Sequence, residues 1–265
     1  MSSGAPSSPE ACVSARGLRH AFADGTVALD HLDLEIAAGS FLAILGPSGC
    51  GKSTLLRLIS GLERPTGGTL VVRGHGAEAA RSQVAFVFQD AHLLPWRTVV
   101  DNVALPLELR GAAQSDARKR ARASLVDVEL TDALERFPDE LSGGMRMRVS
   151  IARALVTDPE LLLLDEPFAA LDELTRQRLD ERMRGLWGRR RTTVIFVTHS
   201  LSEAVFLAER AVVMSKRPGR VVLDRAIDLP ANRSGKIRTE VAFARETALL
   251  YEALEEHGVP EDART

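Results

Sequence analysis

The chain has 265 residues, 45% of them hydrophobic, and is long enough to bury a sizeable core in one domain with subdomains. Its formal net charge of −2 provides no basic field, which argues against nucleic acid as a partner. The sequence lacks the run of about 20 apolar residues that a membrane-spanning helix needs.

The first residues are rich in Ser, Ala and Pro and lack the basic and apolar segments of a secretory signal. We expect residues 1–12 to form a disordered tail. The two cysteines, Cys12 and Cys50, fall in this tail and in a glycine-rich loop, so we expect free thiols and a reducing compartment. Cys50 precedes a predicted helix, where it is either a reactive thiolate or a small filler.

Alternating apolar and polar residues follow, as in LDLEI at residues 32–36. This period of two predicts half-buried strands within residues 13–45 and 68–73, forming an antiparallel sheet. The last apolar run, at residues 41–45, leads directly into a glycine-rich loop and a helical pattern.

That loop reads GPSGCGKS, and a strand, a glycine turn and a helix are the setting of a phosphate-binding loop. Its backbone N–H groups can surround a phosphate chain, and the helix directs its positive dipole end at the same anion. We expect Lys52 to reach the terminal phosphates and Ser53 to ligate Mg²⁺. The predicted nucleotide-binding residues of the loop are Gly46, Pro47, Ser48, Gly49, Cys50, Gly51, Lys52, Ser53 and Thr54.

Further along, residues 90–103 mix a proline with the apolar side chains of Leu93, Leu94 and Trp96. Such patches bind partner helices, but the same side chains could form the core of a small helical subdomain, and the two interpretations can apply to different residues. Helical periodicity up to residue 153 predicts an inserted helical subdomain over about residues 93–153.

The sequence LSGG precedes a helical pattern over residues 145–155. Ser142 is a good N-cap, and Gly143 and Gly144 leave the first N–H groups open to an anion. A second phosphate site is useful if it closes on a nucleotide held by another copy, so we expect a head-to-tail dimer with two bound nucleotides. The alternative is a simple helix cap.

Two buried strand patterns end in polar side chains. Residues 161–164 are four leucines followed by Asp165 and Glu166, at the strand end where open α/β sheets place ligands. We expect Asp165 to hold Mg²⁺ through water and Glu166 to polarise the attacking water, although both could simply cap a loop. His199 follows the strand at residues 193–197 and could donate to the transferring phosphoryl group.

In this order, the motifs resemble those of the ATP-binding subunits of ABC transporters over about residues 13–225. The resemblance implies an α/β fold: a P-loop NTPase (RecA-like) core with an antiparallel β subdomain and the inserted helices. Residues 226–265 would form a linker and a C-terminal helix. ATP and Mg²⁺ are the implied ligands.

The resemblance also suggests further site residues. Gln89 looks like the Q-loop glutamine, which contacts Mg²⁺ and senses the membrane partner; with Lys52, Glu166 and His199 it completes the expected catalytic set. Asp172 looks like the D-loop residue that crosses the dimer interface, and Phe22 stands where an aromatic ring stacks on adenine. Three positions depart from the usual pattern: Met145 replaces Gln, which removes a sugar contact, Ser200 replaces Asp and Phe22 replaces Tyr.

Residues 94–99, 170–176 and 216–220 look like the nitrate, sulfonate and taurine importer branch of the family. This implies a peripheral ATPase at the cytoplasmic face of the membrane, docked through residues 89–103 to a separate permease that works with an extracytoplasmic solute-binding protein. The alternatives are a soluble ABC-type mechanical ATPase and a P-loop kinase for a small molecule. The latter leaves the LSGG sequence and His199 unexplained.

Overall fold

The computed structural model describes residues 11–169, 171–190 and 192–258. Its strands are β1 (Ala11–Ala21), β2 (Val27–Ala37), β3 (Phe41–Leu45), β4 (Gly67–Val72), β5 (His75–Gly76), β6 (Val84–Val87), β7 (Leu161–Asp165), β8 (Thr193–Val197), β9 (Arg210–Met214) and β10 (Val221–Ala226). Its α-helices are α1 (Lys52–Ile59), α2 (Val99–Leu109), α3 (Gln114–Asp127), α4 (Gly143–Leu155), α5 (Glu173–Arg190), α6 (Leu201–Leu207) and α7 (Val241–Gly258).

The predicted antiparallel sheet is present, with strand order β2-β1-β4-β5. Its first strand corrects the expected tail boundary, because Ala11 and Cys12 belong to β1. Cys12 is fully buried, and its neighbour Val13 pairs with both Ile36 and Val72. The part of the expected tail before residue 11 lies outside the described residues.

The second sheet has the order β10-β9-β3-β8-β7-β6, and its strands run parallel except for β10. All residues of β3, β7 and β8 are buried, as expected for apolar runs covered on both faces. Because these three strands are parallel neighbours, their carboxyl ends lie at one edge. The phosphate-binding loop, Glu166 and Thr198 follow directly from that edge.

Helices α2, α3 and α4 pack against one another and form the predicted helical insertion. Asn102 is fully buried in α2 and holds the chain before that helix. Its side-chain oxygen accepts from the Leu94 N–H at 2.8 Å, and its amide nitrogen donates to the carbonyl oxygens of Leu94 and Arg97. Since a buried amide must be satisfied, these bonds fix the conformation of residues 94–97.

The C-terminal helix α7 packs against α6, β9 and β10. Phe243 and Leu250 pack in the main hydrophobic core, and this packing holds the helix against the domain. Residues 259–265 lie outside the described part of the chain. In the described ranges, no helix combines the length and apolar character needed to cross a bilayer.

Candidate nucleotide-binding site

The glycine-rich loop between β3 and α1 packs directly on β2. Gly51 has φ +108°, and a Cβ atom there would lie 2.9 Å from the carbonyl oxygen of Ala28 and 2.7 Å from Leu29. A side chain is therefore excluded both by the left-handed backbone and by the neighbouring strand. This contact fixes the loop at the point where α1 begins.

Lys52 is the first residue of α1, and its side chain turns back into the loop. Its ammonium group donates to the carbonyl oxygens of Gly46 at 2.7 Å and Pro47 at 2.9 Å. Only 6% of the residue is exposed. The loop thus holds a positive charge in its interior.

Cys50 is a filler of the loop and not a reactive thiolate. It is 1% exposed and packs in the core beneath the antiparallel sheet. Burial raises the pKa of the Cys50 thiol, and this effect outweighs the opposing charge of Lys52. Cys12 is also free and buried, so neither cysteine forms a disulfide.

We expect iodoacetamide at pH 7.5 to modify Cys50 about 100-fold more slowly in the folded protein than in urea, because the thiol is both inaccessible and protonated. Any slowing by ATP should be shared by Cys12, because ligand binding stabilises the folded state from which neither thiol reacts. Mass spectrometry of the peptide that contains Cys50 measures the rate, and Cys12, buried in β1, serves as an internal reference. Fast labelling of Cys50 that ATP suppresses would restore the thiolate interpretation.

Asp165 and Glu166 stand at the end of β7. Asp165 is 6% exposed, and its carboxyl interacts with the side chain of Ser53. Burial raises the pKa of the Asp165 carboxyl, the interaction with Ser53 opposes the rise, and the neighbouring charge of Glu166 adds to it. A nearby cation would relieve this unfavourable environment.

Glu166 has a left-handed backbone, with φ +48°. Its N–H donates to the carbonyl oxygen of Val197 at 2.9 Å, which fixes the residue between β7 and β8. A non-glycine residue in this region is strained, and such strain is common at functional sites. The conformation places Glu166 Oε2 3.1 Å from Nδ1 of His199, whose side chain is 64% exposed.

These groups surround a cavity of about 310 Å³. It is lined by Phe22, Ala28, Ser48, Gly49, Gly51, Lys52, Ser53, Thr54, Gln89, Glu166 and Arg217. His199 reaches the cavity through Glu166, and Asp165 reaches it through Ser53. Phe22 stands at the cavity with its ring edge-on to His20, the centroids being 5.1 Å apart.

Ser142 caps α4, as predicted. Its side-chain oxygen accepts from the backbone N–H of Met145 at 3.2 Å. Ser142 and Gly143 are exposed, and neither they nor Gly144 line the cavity of the same chain. The helix start is therefore exposed and separate from the cavity that its own protomer carries.

Asp172 caps α5 in the same way, accepting from the Thr175 N–H at 3.0 Å. It is exposed and does not line the cavity. Ala170, the first residue of the predicted D-loop, lies outside the described residues. Both segments predicted to act across a dimer are thus exposed helix starts apart from the cavity.

Residues 29–169 match the family model described as ABC transporter. The chain belongs to the ABC transporter family. Two relatives and one solved structure support the assignment. Aliphatic sulfonates import ATP-binding protein SsuB 1 of Burkholderia cenocepacia is 48% identical over 236 residues, covering 89% of this chain and 70% of that protein. SsuB of a Mycobacterium species is 50% identical over 224 residues, covering 84% and 87%.

A solved ATP-binding cassette, described as a dimer in a post-hydrolysis state bound to ADP and phosphate, superimposes on this ABC protein with a TM-score of 0.76 at 33% identity. The match covers 82% of this chain and all of that one. This match confirms the predicted α/β P-loop fold. The chain is accordingly an ATP-binding protein of the ABC ATPase class.

A positively charged side chain that the sequence did not predict there also lines the cavity of this ABC protein. Arg217 lines the cavity, and its Nε donates to the carbonyl oxygen of Gly49 at 3.1 Å. Residues 216–220 are part of the branch resemblance, but nothing in their sequence predicts contact with a loop about 170 positions earlier. The strand order, which places β9 beside β3, brings them together.

The sequence left open whether the apolar side chains of residues 89–97 bind a partner or form core, and in the ABC protein they do not all lie in one environment. Leu93 is partly buried and packs against the main core, whereas Trp96 is 72% exposed. Gln89 lines the nucleotide cavity at one end of this segment. A short segment therefore joins Gln89 at the cavity to the exposed Trp96. Hydrogen bonds from Asn102 fix the later part of this segment.

Proposed function

We propose that the chain is the ATP-hydrolysing subunit of an ABC importer for a small solute of the aliphatic sulfonate, nitrate or taurine class. The observation that carries the proposal is the Glu166–His199 contact of 3.1 Å beside the cavity that Lys52 and Ser53 line. A carboxylate and an imidazole in contact at a phosphate-binding loop are the groups that water attack on a phosphoryl group needs. The sulfonate class rests on the names of the similar proteins, which are aliphatic sulfonate import subunits.

In this mechanism the loop N–H groups and Lys52 bind the phosphates, and Phe22 stacks on the base. Glu166 accepts the proton of the attacking water while the water oxygen bonds to the terminal phosphorus and the bond to ADP breaks, and His199 orients that water and donates to the phosphoryl oxygen. Donation by both ring nitrogens, Nδ1 to Glu166 and Nε2 to the phosphoryl oxygen, requires the imidazolium form of His199. Gln89 is placed at the cavity to respond to both nucleotide and permease.

The residues present fit Mg²⁺. This ion prefers oxygen ligands, retains several waters and combines one or two carboxylates with substrate phosphates. Ser53 lines the cavity and interacts with Asp165, whose buried carboxyl has a raised pKa. They would hold the ion, with Gln89, and the ion would neutralise charge on the phosphates.

We further propose an ATP-bound dimer in which Ser142, Gly143, Gly144 and Asp172 of each protomer act on the nucleotide of its partner. Two facts support this arrangement: the start of α4 is exposed and does not line its own cavity, and a similar cassette is described as dimeric. The permease would dock on residues 89–103, where Trp96 is the exposed anchor. The assembly would lie at the cytoplasmic face of the membrane, with a solute-binding protein outside.

Co-purification of the tagged chain from detergent-solubilised native membranes tests the transporter role. We expect a multi-span protein in about equimolar amount, and Trp96→Ala should reduce its recovery several-fold because it removes the anchor of the docking surface. Tyr251→Ala is the matched control, since Tyr251 is an exposed aromatic residue on α7.

Recovery of the parent chain without any integral membrane partner, at every ATP concentration, would reject the transporter and favour a soluble mechanical ATPase. Single-turnover products provide a second check. Phosphate released to water agrees with the proposal, whereas phosphate transferred to a small acceptor indicates a kinase.

A further inference from the structure

A buried carboxylate that the proposed mechanism does not use lies beside the segment that carries His199. Glu203 of α6 is 4% exposed. Its Oε2 accepts a hydrogen bond from the hydroxyl of Thr198, and its backbone N–H donates to the side chain of Ser200 at 3.3 Å. The Thr198 hydroxyl also accepts from the Ser200 N–H at 3.0 Å. The two residues that flank His199 are therefore both tied to Glu203.

Arg176 of α5 connects the same carboxylate to the predicted D-loop. Its Nε lies 3.3 Å from Glu203 Oε1, an ion pair without the alignment of a hydrogen bond. Its Nη2 donates to the carbonyl oxygen of Leu171 at 2.9 Å. Its backbone N–H donates to the carbonyl oxygen of Asp172. One guanidinium group thus contacts both segments.

The ion pair between Arg176 and Glu203 lies among other buried charged groups. Burial raises the pKa of the Glu203 carboxyl, and the hydrogen bond from Thr198, followed by the charge of Arg176, opposes the rise. A second buried carboxylate, Asp180, adds negative charge from α5, and Arg238 balances it with a hydrogen bond to Asp180. A buried charge that loses its partner is strongly unfavourable, so each carboxylate depends on its arginine.

We propose that Arg176 and Glu203 are positioning residues that couple the D-loop to residues 198–200, so that contact of Asp172 with the partner in the closed dimer holds His199 in its place against Glu166. This inference rests on the proposed function. Neither Arg176 nor Glu203 lines the nucleotide cavity, so neither contributes directly to ATP affinity. Their effect is on the geometry of the catalytic contact.

The test measures kcat and KM for ATP, together with thermal unfolding, for Arg176→Ala, Glu203→Gln and the double variant. Since a displacement of about 1 Å at a reacting group costs up to about 100-fold, we expect kcat to fall about 10- to 100-fold in each single variant, with KM within about twofold of the parent. The double variant should be no slower than the slower single variant, because both changes break one coupling.

Two further variants separate positioning from general stability. Arg178→Ala is the matched control: Arg178 is an exposed arginine of the same helix, and its replacement should leave kcat unchanged. Arg176→Lys keeps the charge but not the forked geometry, so it should recover only part of the rate.

The outcomes are distinguishable. An inactive parent chain would contradict the proposed function itself. An active parent with kcat unchanged in both single variants overturns the coupling alone. Multiplied losses in the double variant, or a rise in KM that accompanies lower thermal stability, would mean that the two residues only brace the fold, which also overturns it.

Discussion

Glu166→Gln is expected to lower steady-state ATP hydrolysis by about 100- to 1,000-fold, because it removes the base that accepts a proton from water. The amide keeps the size of the side chain and can still contact His199. ATP binding should therefore persist within a fewfold of the parent. A phosphate-release assay measures the rate, and fluorescent-nucleotide titration measures the affinity.

The same variant should accumulate as an ATP-bound dimer, since closure precedes hydrolysis in the proposed cycle. Size-exclusion chromatography with and without ATP detects this species, and ADP should not produce it. Glu252→Gln, an exposed carboxylate of α7, is the control and should hydrolyse ATP at the parent rate. If Glu166→Gln hydrolysed ATP as fast as the parent, Glu166 would not be the base.

The parts of the fold that the sequence predicted well are those with a local physical signal. Residues 161–164 are apolar throughout, which is how a strand buried on both faces must look. Ser142 stands where an N-cap is needed, and it caps α4. The phosphate-binding loop could be predicted because its glycines and its setting between strand and helix are adjacent in the chain.

The features that the sequence could not predict depend on pairing between distant segments. Cys12 is buried because β1 lies between β2 and β4, and nothing in the Ser- and Pro-rich residues before it indicates that strand. Arg217 contacts Gly49 only through the strand order. The ion pair between Arg176 and Glu203 joins two helices separated by β8. Neither residue carries a local motif that would reveal its partner.

Lys52→Ala should weaken ATP binding by about 30-fold or more, since loss of one partner from a desolvated charge pair typically costs at least about 2 kcal/mol. Hydrolysis at subsaturating ATP should fall in proportion or further, because the lysine also stabilises charge on the transferring phosphoryl group. Isothermal titration with ATP measures the affinity. Lys119→Ala, an exposed lysine of α3, is the control and should bind ATP like the parent.

The structure adds a second effect, on stability without nucleotide. The Lys52 ammonium donates to the carbonyl oxygens of Gly46 and Pro47, so alanine leaves both acceptors without that donor. This should cost about 1–2 kcal/mol of unfolding free energy. Removal of a buried charge offsets part of that loss. Urea unfolding without ATP isolates this effect, and ATP should then stabilise the parent but hardly the variant. Equal stabilisation of both proteins by ATP would show that Lys52 does not hold the phosphates, and the loop would then bind through its N–H groups and Arg217 alone.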